Sequence, residues 1–385
     1  MHRRALRFAV ALSPLVFLSA RATGEPPAQP PAGERLPADL SDAANQAIRR
    51  GLTFLKSTQE EPGGWTSRFG PGVSAIVTQA FIQSPDYGPK HPVVRRATGY
   101  VMKFAQPDGG FYQSEMSLHN YQTSVVLMML AAADDPAHRQ TVAKARDFLK
   151  RLQYDEAESI DANDPWYGGA GYTDRKRPDL SNTQMMLDAL HHSGLPVDDP
   201  TYQKAMKFIS RCQMLDAAND QPFADGANDG GFIYSPANGG ESKAGEIEVG
   251  GKPRLRAYGS MTYAGFKSML YAGIGRDDPR VRAAVKWISR NWTLDANPNM
   301  PGAQSLEGLY YYYHVFAKAM RAWGRPVIED DRGVKHNWRV ELIRKLLSLQ
   351  NKDGSWVNEK DRWAEGDPNY VTALAILAMQ EALRE

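Results

Sequence analysis

Apolar residues recur along this chain in a helical rhythm that returns six times. The pattern reads GLTFLKSTQEEPGGW at 51–65 and ATGYVMKFAQPDGGF at 97–111. Shorter copies follow at 145–153 (ARDFLKRLQ), 205–213 (AMKFISRCQ), 284–292 (AVKWISRNW) and 344–356 (RKLLSLQNKDGSW). Counted back from an anchor that is usually glutamine, positions −1, −4, −5 and −8 are mostly apolar; in the fourth copy they are Cys212, Ile209, Phe208 and Ala205. Such spacing places one apolar stripe on an amphipathic helix. The anchors at 59, 106, 153, 213, 292 and 350 lie 47, 47, 60, 79 and 58 residues apart. Periods of that size mark an array of supersecondary units.

Between the copies the pattern changes. Segments 124–133, 183–192, 262–272, 310–322 and 372–383 read as helices that are apolar on nearly every side. Asp-Asp-Pro at 134–136, 198–200 and 277–279 then restarts the next amphipathic helix. Aspartate supplies the N-cap and proline fits the first turn. Six outer-plus-inner pairs, the inner member needing burial all round, predict an all-α fold of about twelve helices. The consistent closed form is an α/α toroid, with inner helices around a central cavity and outer helices shielding them. An open superhelix of helix pairs is the alternative. Strand signals are too sparse for a sheet of any size.

Composition bounds the rest. The 385 residues are 42% hydrophobic and 23% charged, which suits a soluble globular protein and not a disordered one. The formal charge of +2 owes much to Arg3, Arg4, Arg7 and Arg21; without the first 22 residues it becomes −2. No basic face for nucleic acid is visible. Cys212 is the one cysteine, which excludes intrachain disulfides and a cysteine-rich metal site. Residues 1–22 read as a secretory signal peptide: a cationic start, the apolar run Phe8–Ala20, then Ala20-Arg21-Ala22 for cleavage. A retained anchor is the alternative, yet that run falls short of the roughly 20 residues that a membrane span needs. Residues 23–40 form a proline-rich linker and 41–385 a single domain. Export to the periplasm or the extracellular space is therefore expected.

The segments Gln350 to Trp356, Gln106 to Phe111 and Gln59 to Trp65 resemble the QW repeat of squalene and hopene cyclases, shared in weaker form by protein prenyltransferase β subunits. The likeness spans roughly 42–385 and implies the same toroid. It also implies that the glycines serve a tight turn and that the aromatic ring packs on the glutamine amide. Function does not follow from fold. Class II cyclases of that family protonate an alkene with a D-x-D-D motif at the start of an inner helix. The matching stretch here is Asp179-Leu180-Ser181-Asn182, which keeps only the first acid. Prenyltransferases hold zinc with aspartate, cysteine and histidine; the matching positions hold Tyr258-Gly259-Ser260 and, later, His314. One ligand of three is no zinc site, so neither metal nor cofactor is expected.

What remains as candidate chemistry gathers where inner helices begin. Asp179 and His314 are the candidate catalytic residues; Tyr121, Trp166, Asn182, Tyr258, Tyr312, Tyr313 and Tyr370 are the candidate ligand-binding residues. The plainer roles are helix capping for Asp179 and Asn182, a hydrogen-bonded histidine, and packed aromatic rings. Four consecutive tyrosines, 310–313, cannot all face one way. The acidic stretch 155–164 reads as a calcium site or a solvated insert, and 235–256 as a flap over the cavity mouth or a disordered insertion. The leading function is a non-cyclising toroid that binds an isoprenoid or other long apolar ligand. The alternatives are a terpene-cyclase-like isomerase using Asp179 as acid, an α/α-toroid polysaccharide lyase using Asn120, Asn182, Arg177 or Arg256 on uronate, and a scaffold for a partner protein.

Overall fold

In the computed structural model, residues 35–384 are described; the leader read at 1–22 and most of the linker lie outside the described residues. Six outer helices are α1 (Ala38–Ser57), α3 (Pro92–Met102), α5 (Arg139–Lys150), α7 (Pro200–Cys212), α9 (Pro279–Arg290) and α11 (Trp338–Leu349). They alternate with six inner helices: α2 (Pro71–Ile82), α4 (His119–Ala133), α6 (Leu180–His192), α8 (Gly259–Tyr271), α10 (Leu309–Trp323) and α12 (Pro368–Leu383). Each inner helix packs on the next, and α12 returns to α2, which closes the α/α toroid. Outer helix α1 packs on both α11 and α12, which joins the first unit to the last.

Burial follows the two patterns in the sequence. Helix α5 buries only Ala145, Phe148 and Leu149, one stripe, whereas α2 buries every residue from Pro71 to Phe81. An apolar stripe docks on one neighbour; an apolar cylinder needs neighbours on all sides. Asp135, Asp199 and Asp278 accept the backbone N–H two residues on, as their Asp-Pro sequences predict.

Four of the five repeat glutamines stitch one unit to the next, whereas Gln106 bonds only within its own turn, to the Phe104 and Tyr112 carbonyls. Gln153 Nε2 donates to the Gly168 carbonyl of its own turn and to Thr201 at the start of α7, both at 3.0 Å. Gln213 does the same to Gly230 and to Arg280 in α9, both at 2.9 Å. Gln59 reaches Gly63 and Val93, and Gln350 reaches Gly354 and Ala47 of α1, which seals the toroid. The indole N–H groups of Trp65 and Trp356 donate to the Leu55 and Leu346 carbonyls, holding the turn against its own outer helix. In the degenerate fifth copy, Trp292 replaces the glutamine and bonds Glu341 of α11 at 2.9 Å, so a different side chain makes the same connection.

Three antiparallel two-stranded ribbons decorate the helices: β1 (Gln213–Leu215) with β2 (Asn228–Phe232), β3 (Glu246–Val249) with β4 (Lys252–Leu255), and β5 (Val327–Glu329) with β6 (Lys335–Asn337). The second lies within 235–256, so that segment is folded and not a disordered insertion. Ser235 Oγ ties it down by donating to the Pro178 carbonyl at 2.7 Å.

Candidate functional site

The inner helices all enter the toroid from one end, and their first turns make a cavity there. Its wall takes Gly72 and Val73 from α2, Tyr121 and Gln122 from α4, and Ser181 and Asn182 from α6. Ser260 and Met261 come from α8, Tyr311 from α10 and Tyr370 from α12. Every one of these residues lies within the first four of its helix. The preceding loops add Phe69, Met116, Leu118, Tyr172, Tyr234, Lys243, Tyr258, Trp363 and Ala364. The cavity holds about 370 Å³, within the range of roughly 300–1,000 Å³ common for small-molecule sites. Among the described residues, eight aromatic side chains stand in this wall and no carboxylic acid does.

Asp179 sits just behind the wall as the N-cap of α6. Its Oδ1 accepts the Asn182 backbone N–H at 2.8 Å and its Oδ2 the Asn182 amide at 2.9 Å. Tyr234 also donates to it. Burial pushes the Asp179 carboxyl up to about 6, against the pull of those donors. Every donor around Asp179 meets an acceptor oxygen, so the group is organised as a carboxylate that holds Asn182 and Tyr234 in place. Across the cavity Glu365 does the same for α10, taking the backbone N–H groups of Tyr310 and Tyr311 at 3.2 and 2.7 Å. It is fully buried, and burial pushes it up to about 7. Asp367 caps α12 through the Asn369 and Tyr370 N–H groups. These carboxylates answer the positive ends of three inner helices. Sequence reasoning missed Glu365, because its partner helix lies 54 residues upstream and no local motif links them.

Of the residues singled out from sequence, Tyr121, Asn182, Tyr258 and Tyr370 stand in the cavity wall. Tyr121 and Tyr370 hydroxyls meet at 3.1 Å. Trp166 is elsewhere, edge-on to Tyr154 at 5.1 Å in the insert before α6. Tyr312 and Tyr313 point away from the cavity, donating to the Thr293 and Leu294 carbonyls after α9. Their neighbour Tyr311 takes the wall position, bonding Ser181 Oγ at 3.2 Å and Gln184 Nε2 at 2.9 Å. Three residues on from Tyr311, His314 lies deeper and outside the wall, and burial with Lys318 nearby holds its pKa well below the usual histidine range. The positions that the family resemblance compares with zinc ligands are otherwise engaged. Ser260 is bonded to Asn297, Gly259 has no side chain, and His314 faces lysines. Among the described residues no group of three His, Cys, Asp or Glu side chains is placed to hold a metal ion. In the acidic insert, Asp155 and Glu156 share Lys204 of α7 at 2.8 and 2.6 Å.

Below the cavity the toroid is filled by a charged cluster. Asp188 of α6 takes Lys267 Nζ of α8 at 2.7 Å and Lys318 Nζ of α10 at 2.8 Å, all three being at most 3% exposed. Burial would raise the Asp188 carboxyl, but the two ammonium groups hold it well below the usual range. Burial pushes Lys267 down to about 8 despite that carboxylate. His192 Nδ1 approaches Asp188 at 3.1 Å from the far end.

No protein-family model matches this chain, and neither does any curated protein. Solved structures do match its fold. The type II terpene cyclase MstE of Scytonema with its product merosterolic acid A is 12% identical, TM-score 0.52, over 90% of this chain and 99% of that one. A D-mannose isomerase is 10% identical, TM-score 0.54, over 90% and 99%. An alpha-amylase from Clostridium perfringens is 10% identical, TM-score 0.52, over 88% and 97%. At such identities the likeness establishes a fold, the α/α toroid of type II terpene cyclases, which carries unrelated chemistries.

Proposed function

We propose that this protein binds a long apolar molecule of isoprenoid type in its central cavity and does not cyclise it. The observation that carries this reading is the wall itself: eight aromatic side chains and no carboxylic acid. Aromatic faces offer large apolar contact at little conformational cost, and the Tyr121 and Tyr370 hydroxyls pair with each other while Tyr311 pairs with Ser181. MstE, whose fold this chain shares, has been solved with geranylgeranyl dihydroxybenzoate, so a toroid of this kind accommodates a prenyl chain. Read together with the leader at 1–22, the proposal is an exported lipid binder.

A cyclase-like isomerase finds less support. Protonating an alkene requires an acid proton aimed at it, and Asp179 stands behind Asn182 and Tyr234 with donors on both oxygens. Polysaccharide cleavage finds less support too. Asn120 is buried on the Gly171 and Asn182 carbonyls, Arg177 is paired with Glu241, and Arg256 donates to the Glu246 carbonyl.

Native mass spectrometry with added farnesol tests the proposal. One farnesol per chain, saturating at a single adduct, is expected. No adduct, or a statistical ladder of several, would contradict it.

A further inference from the structure

Two polar side chains of the cavity wall keep part of their hydrogen-bonding capacity unused, and their needs are complementary. Asn182 is the third residue of α6 and Ser260 the second of α8, two inner helices that pack together, and both residues border the cavity. Asn182 is 2% exposed, and its Nδ2 is fixed on Asp179 Oδ2 at 2.9 Å. The contact between Asn182 and Tyr172 favours the ionised phenol, as a donated bond does, so it too uses Nδ2. The amide is planar, which turns Oδ1 away from Asp179. That oxygen is buried and has no hydrogen-bond partner among the described residues.

Ser260 has the opposite need. Its backbone N–H donates to Asn297 Oδ1 at 2.9 Å, and its Oγ accepts the Asn297 amide at 3.2 Å. A hydroxyl also carries one proton to give, and that of Ser260 has no acceptor among the described residues. The wall therefore offers an acceptor without a donor on α6 and a donor without an acceptor on α8.

Polar groups buried without partners are costly, so the chemistry of the ligand follows from what satisfies both. A hydrocarbon would leave the two unpaired. A carboxylate could take the Ser260 proton, but it has none for Asn182 and would stand in front of the buried Asp179. An ammonium could give a proton to Asn182 and takes none from Ser260. It would also lose its water in an apolar pocket, where both oxygens of Asp179 are already engaged. An ether only accepts. A hydroxyl gives one proton and takes another.

We infer that the ligand is a terpenoid alcohol, its hydroxyl donating to Asn182 Oδ1 and accepting from Ser260 Oγ, its hydrocarbon body against the aromatic wall. This rests on the apolar-ligand reading above and adds the polar group to it. Asp179 is then a positioning residue: by claiming Nδ2 and the backbone N–H of Asn182, it fixes which end of the amide is left for the ligand.

The test is a series of fifteen-carbon probes, farnesol, its methyl ether, farnesoic acid and farnesylamine, titrated calorimetrically into the full-length parent, Asn182→Leu and Ser260→Ala. In the parent, farnesol is expected to bind at least about tenfold tighter than each of the other three, a gap of about 1.4 kcal/mol. In Asn182→Leu the alcohol-to-ether ratio should fall towards one, since only the alcohol donates. In Ser260→Ala alcohol and ether should weaken together, because both accept. Another probe that matches farnesol in the parent, a ratio that survives in Asn182→Leu, or a Ser260→Ala variant that binds farnesol as the parent does would overturn the hydroxyl assignment alone. Should Asn182→Leu fail to fold, the parent series and Ser260→Ala decide the matter. Failure of all four probes to bind the parent would overturn the apolar-ligand reading beneath it.

Discussion

Asp188→Asn is expected to lower unfolding stability by about 3–5 kcal/mol, because it strands two buried ammonium groups without their shared carboxylate. The partners lie on three different inner helices, so the loss acts on the packing of α6, α8 and α10 together. The pH dependence gives the cause away. Lys267 titrates near 8 in the folded chain and near its ordinary 10.5 when unfolded. Between those values the unfolded state holds the extra proton, so this group's contribution to stability rises with pH through that window. Without Asp188 the folded Lys267 loses its proton at lower pH, and the window opens earlier. The variant's urea midpoint should therefore climb more steeply than that of the parent between about pH 7 and 9. Asp188→Leu combined with Lys267→Met and Lys318→Met should recover most of the loss, since apolar groups of similar size often replace buried ion networks at no cost. A single variant within about 1 kcal/mol of the parent would show that the cluster is not what holds this half of the toroid.

Gly168→Ala is the second large effect, and Gly194→Ala is its control. Both glycines have a left-handed backbone, with φ of +80° and +81°. An added Cβ at Gly168 would stand 1.9 Å from the Lys204 carbonyl oxygen of α7, whereas at Gly194 it meets nothing within 4 Å. The conformational strain is common to both and costs about 1–2 kcal/mol. The collision belongs to Gly168 alone and can be relieved only by moving one repeat away from the next. Urea denaturation should show Gly194→Ala down by that strain and Gly168→Ala down by more than about 3 kcal/mol. Equal losses would mean that the turns tolerate separation and that the repeat glycine serves conformation only.

The fold was legible because each repeat states its own role twice, as a helical stripe and as a turn. Outer helices such as α5 show three buried positions at helical spacing, and inner helices such as α2 show almost no polar face. The link between repeats was only half legible. Gln153 can be seen to recur, but its second acceptor, the Thr201 carbonyl 48 residues on, is a backbone atom that no side-chain pattern records. The fifth copy breaks the motif and keeps the connection, through Trp292 and Glu341.

The site was legible as a place and less so as a list. Inner-helix starts converge, which put Tyr121, Asn182, Tyr258 and Tyr370 in view. Among the tyrosines 310–313 the register decides, and it is set by Gly308 in the left-handed region and by the segment 292–308 that Tyr312 and Tyr313 bond. Neither feature shows in the apolar pattern. Once Tyr311 faces inward, His314 and Lys318 follow at helical spacing, which carries the histidine below the wall and toward Asp188. Trp166 misses the cavity because its insert folds back toward α7, where Lys204 collects Asp155 and Glu156.

The central claim is that an isoprenoid occupies the cavity at the first turns of the inner helices, and calorimetric titration of farnesol into the parent and into Gly72→Phe tests it most directly. A Cβ at Gly72 would make only ordinary contacts, the nearest at 3.5 Å to the Tyr121 ring, so the larger side chain is expected to fill the cavity and leave the melting temperature close to that of the parent. Farnesol should bind the parent with one site per chain and bind Gly72→Phe at least about tenfold more weakly. Equal affinities in the two proteins would place the ligand somewhere other than this cavity and contradict the account.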